Sequence, residues 1–325
     1  MSPAPSASDK PLIIASRGSR LALAQTEIVA GLLRGHHPGI AIEVRVVKTT
    51  GDGDRRPFAE IGGKGLFTAE IERALVGGEA DIAVHSAKDL TAELAPGCFL
   101  GAVPARASVE DVVVGSRGAT GEDRLGSLAP GARVGTSSMR RRALLMEARS
   151  DLEAVELRGN VDTRLAKVAR GEVDAAILAA AGLERLGVAG DAAPLAADHW
   201  IPAPGQGAIA IEALVERTDL AELLAPLEDR RSRAEVEAER SFARAMEGGC
   251  SVPLGCRAVA TGDRLIVNGF LGHPDAGMTI RDRISGGLGE AAALGAELAA
   301  AIISCGGREI LDELRELDTP AVPEP

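Results

Sequence analysis

One cysteine lies in a stretch that is predicted to be irregular and tightly turning, the segment from Gly248 to Gly255. Two glycines precede Cys250 and Pro253 follows it. Glycine permits positive φ and proline ends a helix, so the thiol is predicted on a loop directly after a helix over residues 235–247. Such a thiol can form a covalent bond to a substrate or cofactor. Alternatively, Cys250 is a small buried residue without a chemical role.

A lysine and an aspartate follow the buried strand predicted over residues 82–85. Asp89, beside Lys88, can stay ionised, stabilise a developing cation or transfer protons. The alternative interpretation is that Asp89 is a helix N-cap. His85, on the strand itself, is interpreted as a hydrogen-bonded core residue rather than a catalyst.

Basic residues cluster at predicted turns and helix starts, next to Gly, Ser and Thr. Any one of them can simply belong to a solvated surface. Arginine, however, binds carboxylate or phosphate through two parallel hydrogen bonds. Several such residues around one cleft would bind a ligand that carries many anionic groups. The residues are Arg17, Lys64, Lys88, Arg140, Arg141, Arg158 and Arg164.

Two segments of the chain repeat one order of elements. A strand over residues 12–15 leads through a polar turn into a helix, and a strand over residues 133–135 does the same. Residues 78–85 and 171–178 are also similar, and each follows a predicted helix. We therefore expect two similar α/β lobes, with a cationic cleft between them where basic turns follow strand ends.

A third, smaller α+β unit is predicted in the last hundred residues. It would contain the helix before Cys250, hairpin-like strands over 256–260 and 265–269, and an Ala-rich helix over 291–304. The predicted boundaries are 11–104 with 206–222 for domain 1, 105–205 for domain 2 and 223–317 for domain 3, with a disordered tail over 1–10 and a loose tail over 318–325. The segment 205–210 matches G-x-G-x-x-A, but it precedes a strand, so no dinucleotide site is predicted.

Composition restricts the classes of function. The 325 residues are 46% hydrophobic, which predicts a globular protein with sizeable cores. A net charge of −11 and 2% aromatic residues argue against nucleic acid as a partner. The four cysteines lack metal-site spacing, which favours no metal and reduced thiols in a cytoplasm. No apolar stretch approaches the roughly 20 residues of a membrane span, so no membrane association is expected.

Seven motifs, in order between about residues 12 and 315, closely resemble the porphobilinogen deaminase (hydroxymethylbilane synthase) family. They are ASRGSRLAL at 15–23, GGKGLF at 62–67, DIAVHSAKD at 81–89, VGTSSMRR at 134–141, LRGNVDTRL at 157–165, PGQG at 204–207 and EGGC at 247–250. The resemblance implies three domains, the first two similar to type II periplasmic binding proteins, with the active site between them. It implies a transferase of tetrapyrrole biosynthesis that joins four porphobilinogen molecules into hydroxymethylbilane and releases ammonia.

The resemblance also implies a dipyrromethane cofactor and roles for individual residues. Cys250 would hold the cofactor by a thioether, and Asp89 would be catalytic, assisting ammonia loss and contacting pyrrole N–H groups of cofactor and substrate. Cofactor carboxylates would be bound by Lys88, Thr136, Ser138, Arg140 and Arg141. Substrate and growing chain would be bound by Arg17, Ser19, Arg158, Arg164, Arg185 and Phe67, of which Phe67 belongs with the loop over 48–56 to a mobile flap.

Three positions depart from the family pattern. Thr91 stands where relatives usually have Pro, Glu60 stands where some have Lys, and Cys256 has no assigned counterpart and is interpreted as structural. No metal or nucleotide is implied, and a monomer is expected. The main alternative is a non-catalytic anion-binding protein with two lobes, which would normally carry an export signal and lack the third domain. A transcription-factor effector domain would need a helix-turn-helix segment, which the sequence does not show.

Overall fold

The structure is a computed structural model that describes residues 10–50, 65, 68–247 and 252–318. Within these ranges the strands form three sheets, two of five strands and one of three. The chain divides into two compact units. The first contains the described residues up to 106 together with 208–233. The second contains residues 107–207 and the described residues from 234 onward.

The elements are numbered here in chain order. The strands are β1 (Leu12–Arg17), β2 (Ile42–Val47), β3 (Ile82–Ser86), β4 (Cys98–Ala102), β5 (Asp111–Gly115), β6 (Arg133–Gly135), β7 (Glu153–Val155), β8 (Ala175–Ala179), β9 (Ala192–Pro194), β10 (Ile209–Leu214), β11 (Leu254–Thr261), β12 (Arg264–Gly272) and β13 (Thr279–Gly287). The helices are α1 (Arg20–His36), α2 (Ala69–Val76), α3 (Gly121–Gly126), α4 (Met139–Ala148), α5 (Val161–Ala169), α6 (Ala180–Arg185), α7 (Thr218–Leu224), α8 (Arg230–Ala245), α9 (Ala291–Ile302) and α10 (Arg308–Asp318).

The first unit is built on a sheet with the strand order β2-β1-β3-β10-β4. Strand β1 is parallel to β2 and β3, whereas β10 is antiparallel to β3 and β4. Helix α1 begins after Ser19, whose hydroxyl accepts a hydrogen bond from the Ala22 N–H at 3.2 Å. Its residues Val29 and Leu33 are buried with Ile14 of β1. Burial of each large aliphatic side chain stabilises the fold by about 1.5–3 kcal/mol. The packing of α1 against β1 therefore keeps the start of α1 at the carboxyl end of β1.

The second five-stranded sheet has the order β7-β6-β8-β5-β9. Strand β6 is parallel to β7 and β8, whereas β5 is antiparallel to β8 and β9. Position by position this is the arrangement of the first sheet. The antiparallel strand in each sheet, β10 or β5, follows the point where the chain enters that unit from the other. The shared topology confirms the prediction of two similar α/β lobes.

The third sheet is an antiparallel meander in the order β11-β12-β13. Phe242 of α8 and Leu298 of α9 are buried in one cluster with Cys256 of β11. Gly295 lets α9 approach α8 closely, because a Cβ there would lie 2.1 Å from the Ala238 carbonyl oxygen. The α+β prediction for the last part of the chain is thus confirmed, and Cys256 is a core residue. The boundaries between the three domains stay a prediction.

One helical run, Leu288–Glu316, is long and apolar enough by composition to cross a membrane, which the sequence analysis did not anticipate. The run is interrupted at Gly306, whose φ is 103°. The parts on either side, α9 and α10, have 12 and 11 residues, too few for the roughly 20 of a spanning helix. Leu294, Leu298 and Ile302 of α9 are buried in the core of the third sheet. We therefore interpret the run as two core helices.

Gly207 is the last residue before the chain returns from the second unit to the first. Its substitution tests how tightly the segment before β10 is packed. Gly207 has φ +84°, and a Cβ there would lie 2.5 Å from the Ser108 carbonyl oxygen. We expect Gly207→Ala to lower the free energy of unfolding by about 2–5 kcal/mol, from the left-handed backbone and the overlap together. Gly262, with φ +61° but no atom within 4 Å of a Cβ, is the matched control. Gly262→Ala should cost only about 1 kcal/mol. Equal losses in urea denaturation would contradict this packing.

Candidate active site

Three of the predicted site residues come together at the carboxyl ends of β1 and β3. Arg17 ends β1, Ser19 caps α1, and Asp89 ends the short 3₁₀ turn Ala87–Asp89 that follows β3. The Arg17 Nη1 and Asp89 Oδ2 atoms are 3.6 Å apart, and the two side chains are 20% and 34% exposed. All three residues line one pocket that is open to solvent. These three residues therefore lie together at strand ends, the place where ligands bind in open α/β sheets, and their roles in binding stay predictions.

The alternative interpretation of Asp89 as a helix N-cap is wrong. Leu90, which follows Asp89, has ψ 141°, an extended conformation. The described chain from Leu90 to Gly97 contains no helix that Asp89 could cap. Lys88, half-buried, lies in the same 3₁₀ turn. Asp89 is thus a partly exposed carboxylate that a ligand in the pocket can contact.

The pocket also contains a polar pair that the sequence analysis missed. Gln25 on α1 is buried, and its side-chain amide donates a hydrogen bond to the Ser86 hydroxyl at 2.7 Å. Both residues line the pocket with Arg17 and Asp89. A signal was present in the sequence, because Gln25 is a polar residue on the face of α1 that carries the apolar Val29 four positions later.

His85 lines the same pocket and faces a buried carboxylate, that of Glu212. The His85 Nε2 atom is 3.1 Å from Glu212 Oε2, with side chains 3% and 0% exposed. This agrees with the interpretation of His85 as a core residue. Cys98 lies close by, and burial together with Glu212 raises the pKa of its thiol to about 12. Both causes act in one direction, because each disfavours a thiolate.

The raised pKa gives an expected reactivity. Because only a thiolate reacts with iodoacetamide, Cys98 in the folded protein should be alkylated slowly between about pH 8 and pH 10, where ordinary thiols ionise. Exposed Cys305 is the internal control in peptide mapping. In urea, Cys98 should react as fast as Cys305. Rapid alkylation of Cys98 in the folded protein at pH 9 would contradict the raised pKa of its thiol.

A second group of predicted residues surrounds the start of α4, in the second unit. The Thr136 hydroxyl accepts a hydrogen bond from the Ser138 N–H at 3.1 Å, and the Ser138 hydroxyl accepts one from the Arg141 N–H at 3.4 Å. Arg140 and Arg141 are only 4% and 6% exposed. The hydroxyl-rich turn therefore begins α4 and directs both arginines into the interior.

The partner of these arginines is Asp111, which the sequence analysis missed. Arg140 Nη2 lies 2.8 Å from one carboxylate oxygen of Asp111, and Arg141 Nη2 lies 2.7 Å from the other. Burial opposes ionisation of Asp111, but the two guanidinium groups outweigh it and hold its pKa below the usual range. Burial lowers the pKa of Arg140, but Asp111 opposes this. The three groups therefore form a buried ionic cluster.

The remaining predicted arginines of the second unit each contact a carboxylate or a main-chain carbonyl within that unit. Arg158 Nε lies 2.6 Å from Glu156, before α5. Arg164 Nε donates to the Gly159 carbonyl at 2.8 Å. Arg185, at the end of α6, donates to the Gly207 carbonyl at 2.6 Å, and burial lowers its pKa. The substrate-binding roles of these three residues stay predictions.

Some predicted residues lie outside the described part of the chain. These are Cys250, Phe67, Lys64, Glu60 and the flap loop beyond Thr50. The helix predicted before Cys250 is present as α8, although it begins at Arg230, five residues earlier than expected. It ends at Ala245, and Glu247 has φ 52°, so the chain leaves the helix just before the glycines.

Comparisons with known proteins identify the family. Two family models match, "Porphobilinogen deaminase, dipyromethane cofactor binding domain" over residues 12–222 and "Porphobilinogen deaminase, C-terminal domain" over residues 233–304. A porphobilinogen deaminase of Nitratidesulfovibrio vulgaris (strain Hildenborough) is 46% identical over 312 residues, covering 94% of this chain and 97% of the relative. That of Roseiflexus sp. (strain RS-1) is 46% identical over 302 residues, covering 92% and 98%.

Solved structures with a similar chain path are more distant. The periplasmic aliphatic sulphonate binding protein SsuA from Escherichia coli is 14% identical with a TM-score of 0.38, covering 98% of this chain and 90% of its own. R. palustris Rpa4515 with adipate is 14% identical with a TM-score of 0.43, covering 67% and 81%. The family models and the relatives carry the assignment: this chain belongs to the porphobilinogen deaminase family.

Proposed function

We propose that this chain is a porphobilinogen deaminase, a transferase that joins four porphobilinogen molecules head to tail and releases one ammonia at each step. Hydrolysis then frees the linear product, hydroxymethylbilane, for tetrapyrrole biosynthesis. Besides family membership, the observation that carries the proposal is the Asp89 carboxylate, held 3.6 Å from Arg17 in an open pocket. The reaction needs an anion at the point where a ring becomes positively charged.

Asp89 is proposed as the catalytic residue. As ammonia leaves porphobilinogen, positive charge develops on the pyrrole and its side-chain carbon. A carboxylate fixed at the end of β3 stabilises that charge and accepts a hydrogen bond from the pyrrole N–H. Because the 3₁₀ turn Ala87–Asp89 fixes the backbone, little reorganisation is needed when the charge appears.

Arg17 and Ser19 are proposed to bind the substrate. Porphobilinogen carries two carboxylates, and a guanidinium binds one of them through two parallel hydrogen bonds. At 3.6 Å the contact between Arg17 and Asp89 is longer than a hydrogen bond, so a substrate carboxylate can compete for the guanidinium. Ser19, at the N-terminus of α1, adds the favourable dipole of a helix start. Arg158, Arg164 and Arg185 are proposed to bind the growing chain, and Phe67 to belong to the flap.

The residues of the second unit fit the cofactor of this family. Among the described residues, Arg140 and Arg141 share the single carboxylate of Asp111, so this three-residue cluster carries a net charge of about +1. The Nε atoms of both arginines are buried and have no hydrogen-bond partner among the described residues. Unused donors beside excess positive charge suit a carboxylate. When bound, dipyrromethane supplies the acceptor position to which the first substrate is joined.

We propose that Cys250 anchors this cofactor by a thioether and that Lys88, Thr136, Ser138, Arg140 and Arg141 bind its carboxylates. A covalent anchor keeps an intermediate from diffusing away between condensations. We also propose a monomer that acts in the cytoplasm, with no nucleic acid or membrane partner. The free thiols of Cys98 and Cys305 support a reducing compartment.

Incubation of the purified protein with porphobilinogen tests the proposed function. We expect four ammonia molecules to be released for each hydroxymethylbilane formed. The protein itself should turn coloured with an acidic aldehyde reagent for pyrroles. A non-catalytic anion-binding protein would bind porphobilinogen without releasing ammonia and would stay colourless after gel filtration. That outcome would contradict the proposal.

A further inference from the structure

Asp111 is the centre of a polar cluster in the second unit. It begins β5 and is 0% exposed. Its Oδ1 accepts hydrogen bonds from Arg141 Nη2 at 2.7 Å and Gln206 Nε2 at 2.9 Å. Its Oδ2 lies 2.8 Å from Arg140 Nη2 and accepts a hydrogen bond from the Trp200 indole at 3.0 Å. One carboxylate therefore has four donors within hydrogen-bonding distance.

The same contacts fix the planes of the two guanidinium groups. Each arginine directs Nη2 at Asp111 and Nη1 at a main-chain carbonyl, Arg140 at Ile201 (2.8 Å) and Arg141 at Ile177 (2.9 Å). With two nitrogen atoms held, a planar guanidinium cannot rotate. The Nε of each arginine is the donor that stays without a partner among the described residues.

The charges of this cluster do not balance. Among the described residues, Arg140 and Arg141 share one carboxylate partner, Asp111, and a buried charge without a counter-ion is costly. A purely structural carboxylate would need only one arginine. The second cation and the two unused Nε donors are accounted for if a carboxylate of a ligand joins the cluster.

Asp111 is held in place by Trp200 and Gln206, two residues of the segment that precedes β10. Gln206 also donates to the Val109 carbonyl at 2.7 Å, so it connects the chain just before Asp111 with the segment before β10. Trp200, in the same segment before β10, is buried. Each oxygen of the carboxylate thus has one cationic and one neutral donor, and together they fix its plane.

We propose, resting on the proposed function, that Asp111 is a positioning residue of the cofactor site. It holds the guanidinium planes of Arg140 and Arg141 and balances one of their two charges. Both Nε donors and one net positive charge remain for a single carboxylate of dipyrromethane. Asp111 itself does not touch the cofactor.

The test is the rate at which apo-protein gains the cofactor. Apo-protein with free Cys250 is incubated with porphobilinogen, and the added mass is followed by intact-protein mass spectrometry. Asp111→Asn keeps the shape of the side chain but removes its charge, so the two guanidinium groups repel each other and lose their fixed planes. We expect loading about 10- to 100-fold slower, the usual effect of removing a group that orients a ligand-binding residue.

A control variant tests whether the loss of a guanidinium partner elsewhere in the unit has the same effect; its carboxylate is 83% exposed whereas Asp111 is buried, so the stability of each variant is measured separately. Asp191 pairs with buried Arg124 elsewhere in the same unit, so Asp191→Asn also removes a carboxylate from a buried guanidinium. Loading is compared at a temperature where circular dichroism shows each variant to be folded. Asp191→Asn should load at the wild-type rate. If Asp111→Asn also loads at that rate, or if both variants are slowed equally, the inference is overturned.

A milder variant serves if Asp111→Asn does not fold. Trp200→Phe removes one donor to Asp111 and leaves both ion pairs in place, so loading should slow about three- to tenfold, the effect of one hydrogen bond. Loading at the wild-type rate would overturn the inference. If the wild-type chain itself gains no mass from porphobilinogen, the proposed function fails, and the inference fails with it.

Discussion

Asp89→Asn is expected to lower kcat by about 100- to 1,000-fold, the usual effect of losing one electrostatic contact to a transition state. Asparagine has the same shape and can still accept a hydrogen bond from a pyrrole N–H. It carries no charge, so it cannot stabilise the cation that forms as ammonia leaves. Because the substrate carboxylates are bound by other residues, KM should change far less than kcat. Initial rates of ammonia release at several porphobilinogen concentrations measure both constants.

The fold of Asp89→Asn should be intact. Asp89 is partly exposed, and its contact with Arg17 is 3.6 Å long, so little stability depends on it. Asp219→Asn is the matched control, because Asp219 also pairs with an arginine, Arg217, in the same unit but does not line the pocket. It should keep wild-type activity and change stability by about 0.5 kcal/mol or less. Near-normal turnover by Asp89→Asn would remove Asp89 from the mechanism.

Arg140→Leu is expected to yield a protein that folds but holds no cofactor. The substitution removes one of two buried cations, so Asp111 stays paired with Arg141 and no uncompensated charge is left. The Ile201 carbonyl loses its donor, which costs about 1–3 kcal/mol. The excess positive charge that would hold a cofactor carboxylate disappears. Intact mass should therefore show the bare polypeptide, and turnover should be absent.

Arg142→Leu is the control for this variant. Arg142 is the next residue of α4, but it is 43% exposed and pairs with Asp275 at the surface. Its loss should leave cofactor loading and turnover unchanged, since exposed ion pairs contribute about 0–1 kcal/mol. A fully loaded, active Arg140→Leu protein would contradict the role of Arg140. So would an Arg142→Leu protein that is equally devoid of cofactor.

The two α/β lobes could be predicted because their elements carry strong local signals. Buried strands such as β1 and β3 are short apolar runs, and the hydroxyl-rich turns after β1 and β6 mark helix starts. Strand β13 was missed for the opposite reason. Its sequence, TIRDRISGG, is largely polar, and it lies at the edge of the third sheet, where only one neighbour pairs with it.

The site could be predicted only where its residues follow strand ends. Arg17 and Asp89 meet because β1 and β3 are parallel neighbours. Asp111 could not be found this way, since it lies at the start of an antiparallel strand, 29 or more residues from Arg140 and Arg141. The pairing of a buried charge depends on which strands become neighbours, and one sequence does not show that.

The proposed function requires a covalent bond between Cys250 and the cofactor, and intact-protein mass spectrometry with peptide mapping detects that bond. We predict an added mass equal to two porphobilinogens less two ammonias, located on the peptide that contains Cys250. Cys98, Cys256 and Cys305 are internal controls and should stay unmodified. A protein purified in its apo form should gain this mass on incubation with porphobilinogen. A Cys250 that remains unmodified after that incubation, or an addition at another cysteine, would contradict the account.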